Sequence, residues 1–149
     1  MRGLHWFRND LRLGDNRALT SLVGEVDQWA AIFVREPRLL GDPCRAPKRV
    51  AFLEDCLQGL SEALAARGVS LQIVDGPAEE VIPRFMVKMG ISILSFNHGP
   101  PPFSRARDQA VRTAVEKEGH RVLVEKDHVI FSAGEILSGK GDPYSVYTP

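Results

Sequence analysis

The chain has 149 residues, 19 of them Lys or Arg and 19 Asp or Glu, so its formal net charge is zero. With 44% apolar and 26% charged residues it has the balance of one globular domain that buries a core without disulfide or metal staples. That balance excludes a uniformly basic nucleic-acid binder held by phosphate contacts alone. The lack of any run of about 18 apolar residues excludes a membrane-spanning helix.

Short apolar runs alternate with amphipathic stretches. Leu4-His5-Trp6-Phe7 reads as a first strand. Asp15-Asn16 offers a helix N-cap, because a short side-chain oxygen can accept from the free amides of a first turn, and a short helix over 18–23 follows, ending at Gly24. Trp29 to Val34 is continuously apolar, the pattern of a strand covered on both faces, and Arg35-Glu36-Pro37 ends it. Pro43 to Pro47 marks a loop. The longest helix is predicted over 48–67, where Val50, Leu53, Leu57, Leu60 and Leu64 recur at spacings of three and four and so share one face, with Gly68 as its C-terminal cap. A third strand over 70–74, a helix over 78–89, a fourth strand over 91–96, a helix over 105–118 and a fifth strand over 121–125 complete the series. Strands alternating with helices predict an α/β fold: a Rossmann-like three-layer α/β/α domain with a five-stranded, mainly parallel sheet. Residues 1–126 make up this domain. Residues 127–149, rich in Gly and Pro, read as an edge loop and the start of an interdomain linker, with Gly139-Lys140-Gly141 as a turn.

In an open parallel sheet, ligands bind beyond the carboxyl ends of the strands. The residues expected there are Arg8, Asn9, Asp10 and Arg12 after strand one, Arg35 and Glu36 after strand two, Asp75 and Gly76 after strand three, and Asn97, His98 and Gly99 after strand four. Such a polar rim on an apolar sheet suits a flat, polar or anionic ligand. Arg8, Arg12 and Arg35 could fork onto a phosphate or carboxylate, or pair internally with Asp10, Asp15 or Glu36. No GxxxxGK[ST] loop and no GxGxxG after strand one occur, which argues against a small nucleotide-binding protein of this class. No GxSxG elbow occurs, and no histidine pair has metal-ligand spacing. His5 reads as a packed strand histidine, His98 as the one histidine at a ligand site, and His120 and His128 as solvated. Pro100-Pro101-Pro102 reads as a stiff entry to the fourth long helix. Cys44 and Cys56 match neither zinc spacing nor CxxC, and the opening residues carry no signal segment; a cytoplasmic chain with reduced thiols is expected.

Four segments together carry a resemblance. Trp6-Phe7-Arg8-Asn9-Asp10-Leu11-Arg12-Leu13-Gly14-Asp15-Asn16-Arg17-Ala18-Leu19 is similar to the WFRRDLRxxDNxAL opening of DNA photolyases and cryptochromes. Arg49-Val50-Ala51-Phe52-Leu53 with Leu57, Leu60, Leu64 and Gly68 resembles that family's second helix. Asn97 followed by Arg105-Ala106-Arg107-Asp108 resembles its asparagine-loop-RARD segment, and Gly141-Asp142-Pro143-Tyr144-Ser145-Val146-Tyr147-Thr148-Pro149 its GxPYxVFTPF stretch. The matches run in order along the whole chain.

The resemblance implies the family's N-terminal α/β domain, without the helical domain that binds FAD and accepts the flipped pyrimidine dimer. That domain's implied role is light harvesting: it holds an antenna chromophore and passes excitation energy to FAD in the light-driven lyase reaction of DNA repair. Carried onto this chain, the chromophore site is Trp6, Arg8, Asp10, Arg35, Lys48, Arg49, Asn97 and His98. Ser104 stands where folate-binding relatives carry a glutamate, Asn9 replaces the motif's second arginine, and Arg35-Glu36-Pro37 replaces an aspartate-bearing turn. These departures point to a deazaflavin or flavin rather than a folate. The implied partners are the helical FAD domain, on the same or a separate chain, and damaged DNA only through it, with no membrane; alone, the chain is expected to be catalytically inactive. A cryptochrome-like photosensory or protein-binding module is the alternative reading.

Overall fold

A computed structural model describes residues 1–40, 46–99, 101–127, 129–131 and 135–142, the side chains of Leu39 and Leu40 excepted. Chain order is β1 (Arg2–Phe7), α1 (Arg17–Glu25), β2 (Gln28–Arg35), α2 (Pro37–Leu40), α3 (Pro47–Ala65), β3 (Leu71–Asp75), α4 (Ala78–Met89), β4 (Ile93–Asn97), α5 (Pro102–Lys117) and β5 (Arg121–Glu125). The five strands form one sheet in the order β3-β2-β1-β4-β5, and every neighbouring pair is parallel. The chain therefore winds outward from β1 twice, once towards β3 and once towards β5. β1 lies at the centre, and its carboxyl end opens between the two halves.

Side-chain alternation along β1 sorts the core into two layers. Leu4 and Trp6 join Ile32, Val34, Leu94 and Phe96 beneath α4 and α5, which contribute Ile82, Met86, Val111 and Val115. Phe7 joins Ala31 and Phe33 on the opposite face beneath α3, which contributes Leu57, Leu60 and Leu64. The predicted stripe on α3 thus divides. Its C-terminal three leucines are buried, whereas Val50 and Leu53 are only half-buried. Their neighbourhood becomes the site described below. On α1 the approach to the sheet is close: a Cβ on Gly3 would lie 2.6 Å from the Leu22 side chain, so any larger residue there would force the buried Leu22 aside.

Several boundaries shift from the sequence reading. Asn16 does cap α1, its side chain accepting from the Leu19 amide at 3.1 Å, but Gly24 lies inside the helix rather than ending it. α2, a single turn opened by Pro37, was not foreseen. α5 begins three residues early because Pro102 suits the first turn, where a missing amide costs no hydrogen bond. β4 starts at Ile93 rather than Ile91. Ala66 caps α3, ahead of Gly68 at φ +72°. The Gly139-Lys140-Gly141 turn is present, with Ser138 N donating to Asp142 O and Gly141 N to Ser138 O. The loop from Pro43, Cys44, Pro100, His128 and the stretch from Pro143 onward lie outside the described residues.

Candidate functional site

The carboxyl ends of β1 and β2, together with the first half of α3, enclose an open cleft of about 740 Å³. This is within the range of small-molecule sites and large enough for a tricyclic ring. Its floor and walls are apolar: Trp6, Leu11, Phe33, Val34, Val50 and Leu53 line it. Phe52 also lines it while 69% exposed, a large aromatic face presented to whatever enters. Five arginines border the cleft, Arg8, Arg12, Arg35, Arg49 and Arg107, against two lining carboxylates, Asp10 and Glu36.

The arginines are held in place. Arg8 and Arg107 both stack on Trp6, each guanidinium carbon 4.8 Å from the ring centroid, and Arg8 also lies 4.9 Å from the Phe96 ring. Both pair with Asp108 on α5, whose second oxygen accepts from the Gly99 amide at 3.2 Å. That amide can approach because residue 99 has no side chain: a Cβ there would stand 2.6 Å from the Ser104 Cβ. Burial, reinforced by the neighbouring Arg8 charge, pushes the Arg107 guanidinium below its ordinary value. Arg12 reaches Asp127 at 2.8 Å, and Arg35 reaches Glu54 on α3 at 2.8 Å. The sequence reading offered Asp10, Asp15 and Glu36 as internal partners. Local spacing suggested those, whereas the folded sheet supplies carboxylates from 19, 100 and 115 residues away.

Asp10 has a different task. Its carboxylate is buried and accepts from the Arg8 amide at 2.9 Å and from Asn97 Nδ2 at 2.5 Å. Burial pushes this carboxyl up, but those hydrogen bonds outweigh it and hold Asp10 below the ordinary carboxylate value. Asn97 also donates to Asn16 Oδ1 at 2.9 Å and accepts from the Ala18 amide at 3.1 Å. It thereby ties the end of β4 to the β1 loop and to the start of α1. Beneath them His5 contacts Ser95 Oγ at 2.7 Å and packs edge-on to Phe7. Burial pushes His5 down to about 4.

Of the eight residues expected at the site, Trp6, Arg8, Asp10, Arg35 and Arg49 do line the cleft. Three do not. Asn97 is buried, with its amide spent on the clasp just described. His98 continues the ladder to β5 through its backbone, donating to Glu125 O at 2.7 Å. Lys48 is exposed on the first turn of α3, outside the lining. β4 sits on the far side of β1 from β2, so its end does not reach a cleft built between β1, β2 and α3. His120, expected in solvent, is half-buried, with Nε2 shielded from it.

Arg107, Phe52 and Cys56 line the cleft and were not among the expected site residues, and Glu36, expected on the rim after strand two, lines it as well. Phe52 carried a usable signal: it is a large apolar side chain off the α3 stripe. Among the described residues, four buried side-chain polar atoms lack a hydrogen-bond partner: Trp6 Nε1, Arg35 Nε, Glu36 Oε2 and His120 Nε2. Three of the four belong to cleft residues. Also among the described residues, no group of three or more His, Cys, Asp or Glu is placed to hold a metal ion, and no helix is long and apolar enough to cross a membrane.

A family model described as DNA photolyase matches residues 3–149. The chain belongs to the DNA photolyase family. A deoxyribodipyrimidine photo-lyase from Synechococcus sp. is 35% identical over 146 residues, covering 98% of this chain and 30% of that protein. Among solved structures, an archaeal photolyase from Sulfolobus tokodaii superposes with a TM-score of 0.83 at 29% identity, over 93% of this chain and 32% of its own. It is described with two FAD molecules and the implication of a novel light-harvesting cofactor. A bacterial class III photolyase from Agrobacterium tumefaciens superposes with a TM-score of 0.87 at 27% identity, over 99% of this chain and 30% of its own. The chain thus spans about a third of each of these photolyases and corresponds to the family's N-terminal domain.

Proposed function

We propose that this chain is the light-harvesting domain of a photolyase, cytoplasmic and not catalytic by itself, and that its cleft holds an antenna chromophore. The observation that carries this reading is the cleft itself: an apolar slot with an exposed Phe52 on one wall, rimmed by arginines, at the carboxyl ends of β1 and β2. Three unpartnered buried polar atoms belong to residues of its lining. The light-harvesting cofactor described for the Sulfolobus tokodaii photolyase supports the same reading.

The residues have distinct tasks. Trp6, Phe33, Val34 and Phe52 would bury the faces of a flat ring. Arg35 and Arg49 would meet an acidic tail at the α3 side, where guanidinium forks match phosphate or carboxylate. Asp108 keeps Arg8 and Arg107 against Trp6, so that wall needs no rearrangement on binding. A deazaflavin or flavin fits this apolar slot. When bound, such a chromophore supplies light absorption and onward transfer of excitation energy. Repair of a pyrimidine dimer additionally needs an electron from FAD, for which the implied helical domain is the partner.

An absorption spectrum of the purified chain, with mass identification of what denaturation releases, tests the reading. A released flavin, deazaflavin or pterin is the expected result, and Arg35→Ala is expected to weaken its retention. A chain that carries no chromophore and takes none up from a supplied panel would refute it.

A further inference from the structure

Trp6 lines the cleft as a buried indole, 1% exposed, beside two cations. The guanidinium carbons of Arg8 and Arg107 each lie 4.8 Å from its ring centroid. Both arginines bond the same oxygen of Asp108, so two cations share one carboxylate and the cluster keeps a net positive charge against the ring. Trp6 Nε1 is shielded from solvent, and among the described residues no acceptor reaches it. The chain's other tryptophan, Trp29, lies outside this cluster, half-buried against the layer beneath α3.

Indole is the side chain most easily oxidised by one electron, and a photoexcited ring beside it can take that electron and lose its excitation. The indole then becomes a radical cation. A guanidinium is attracted to the electron-rich face of a neutral ring, but it repels a radical cation, and away from water that repulsion is strong. The radical cation is also a strong acid at Nε1, and release of that proton is what makes the oxidation persist. At Trp6 nothing receives the proton. We infer that Trp6 is guarded against oxidation: Arg8 and Arg107, clamped by Asp108, together with the sealed Nε1, keep the electron on the indole, so that a photoexcited ring in the cleft is not quenched by the wall that binds it. The consequence for light harvesting rests on the chromophore reading. The redox property belongs to the chain alone and is tested without a ligand.

The test uses two full-length chains with one indole each, Trp29→Phe and Trp6→Phe, both carrying Tyr144→Phe and Tyr147→Phe so that no tyrosine takes over the radical. Pulse radiolysis generates the dithiocyanate or the dibromide radical anion, oxidants of similar size and charge, the second being stronger. Each takes one electron from indole and ends as two thiocyanate or two bromide ions. The readout is the transient absorbance of the indole radical, with circular dichroism to show that both chains are folded. With the weaker oxidant Trp6 is expected to give less than about one tenth of the Trp29 yield, and with the stronger one that ratio should rise at least about threefold. Equal yields with the weaker oxidant would overturn the inference. So would a ratio that stays flat, because burial alone would then be the shield. In the chain that keeps only Trp6, Arg107→Met removes the charge and Arg107→Lys retains it. Met alone should raise the yield, by about fivefold. Equal rises for both would assign the effect to access and overturn the role of charge. The oxidant series leaves both arginines in place, so it decides the question even where an Arg107 variant does not fold. A failure here leaves the chromophore reading intact, since release of a bound chromophore is measured separately.

Discussion

Asn97→Ala separates two roles for one residue, a ligand of the chromophore and a clasp of the fold. In the structure the Asn97 amide makes three hydrogen bonds, to the Asp10 carboxylate, to Asn16 Oδ1 and from the Ala18 amide. All three partners are buried. Losing a bond to a charged acceptor costs about 2 kcal/mol, and leaving the buried Ala18 amide without an acceptor costs about 1–3 kcal/mol more. Asn16 Oδ1 keeps its bond from Leu19, so its loss adds little. The sum is about 3–5 kcal/mol, a large share of the stability of an ordinary domain. For a chain of this size that lowers Tm by about 10 °C. Urea unfolding followed by far-ultraviolet circular dichroism, with the slope against denaturant held constant, measures it. A loss below about 1 kcal/mol would refute the clasp. So would unchanged stability combined with lost chromophore binding, which would return Asn97 to the site.

Three further outcomes are expected. Leu57→Ala, in the layer beneath α3, should cost about 2–5 kcal/mol in a denaturant melt, and a cost near zero would show that face to be exposed. His5 refuses a proton in the native state until about pH 4, whereas the unfolded chain accepts one near 6.5. Its contribution to stability is therefore intact above pH 6.5 and lost as pH falls from 6.5 towards 4, by about 3 kcal/mol in all. A wild-type profile no steeper than that of His5→Gln over this window would contradict the buried neutral imidazole. Gly99→Ala places a methyl against Ser104 and should cost about 1–3 kcal/mol, partly recovered in the Gly99→Ala, Ser104→Gly double variant. Additive losses in that double variant would mean the two positions do not touch.

The sequence by itself determined the fold class, because alternation and helical periodicity are local patterns. The continuous apolar run at Trp29 to Val34 needs cover on both faces, and five strands separated by helices can provide it only as a parallel sheet with helices on each side. The opening motif also put Trp6, Arg8 and Asp10 at the carboxyl end of β1, and the cleft they line lies there. Tertiary structure alone decided the strand order, and with it which strand ends meet. Placing β2 and β4 on opposite sides of β1 put Arg35 in the cleft and left Asn97 and His98 outside it. It also decided the pairing of charges: Arg8 finds Asp108, and Glu36 gives one oxygen to Arg38 and keeps the other. An arginine names its possible partners by charge, but which carboxylate lies within reach is settled only when segments far apart in sequence are brought to the same edge of the sheet.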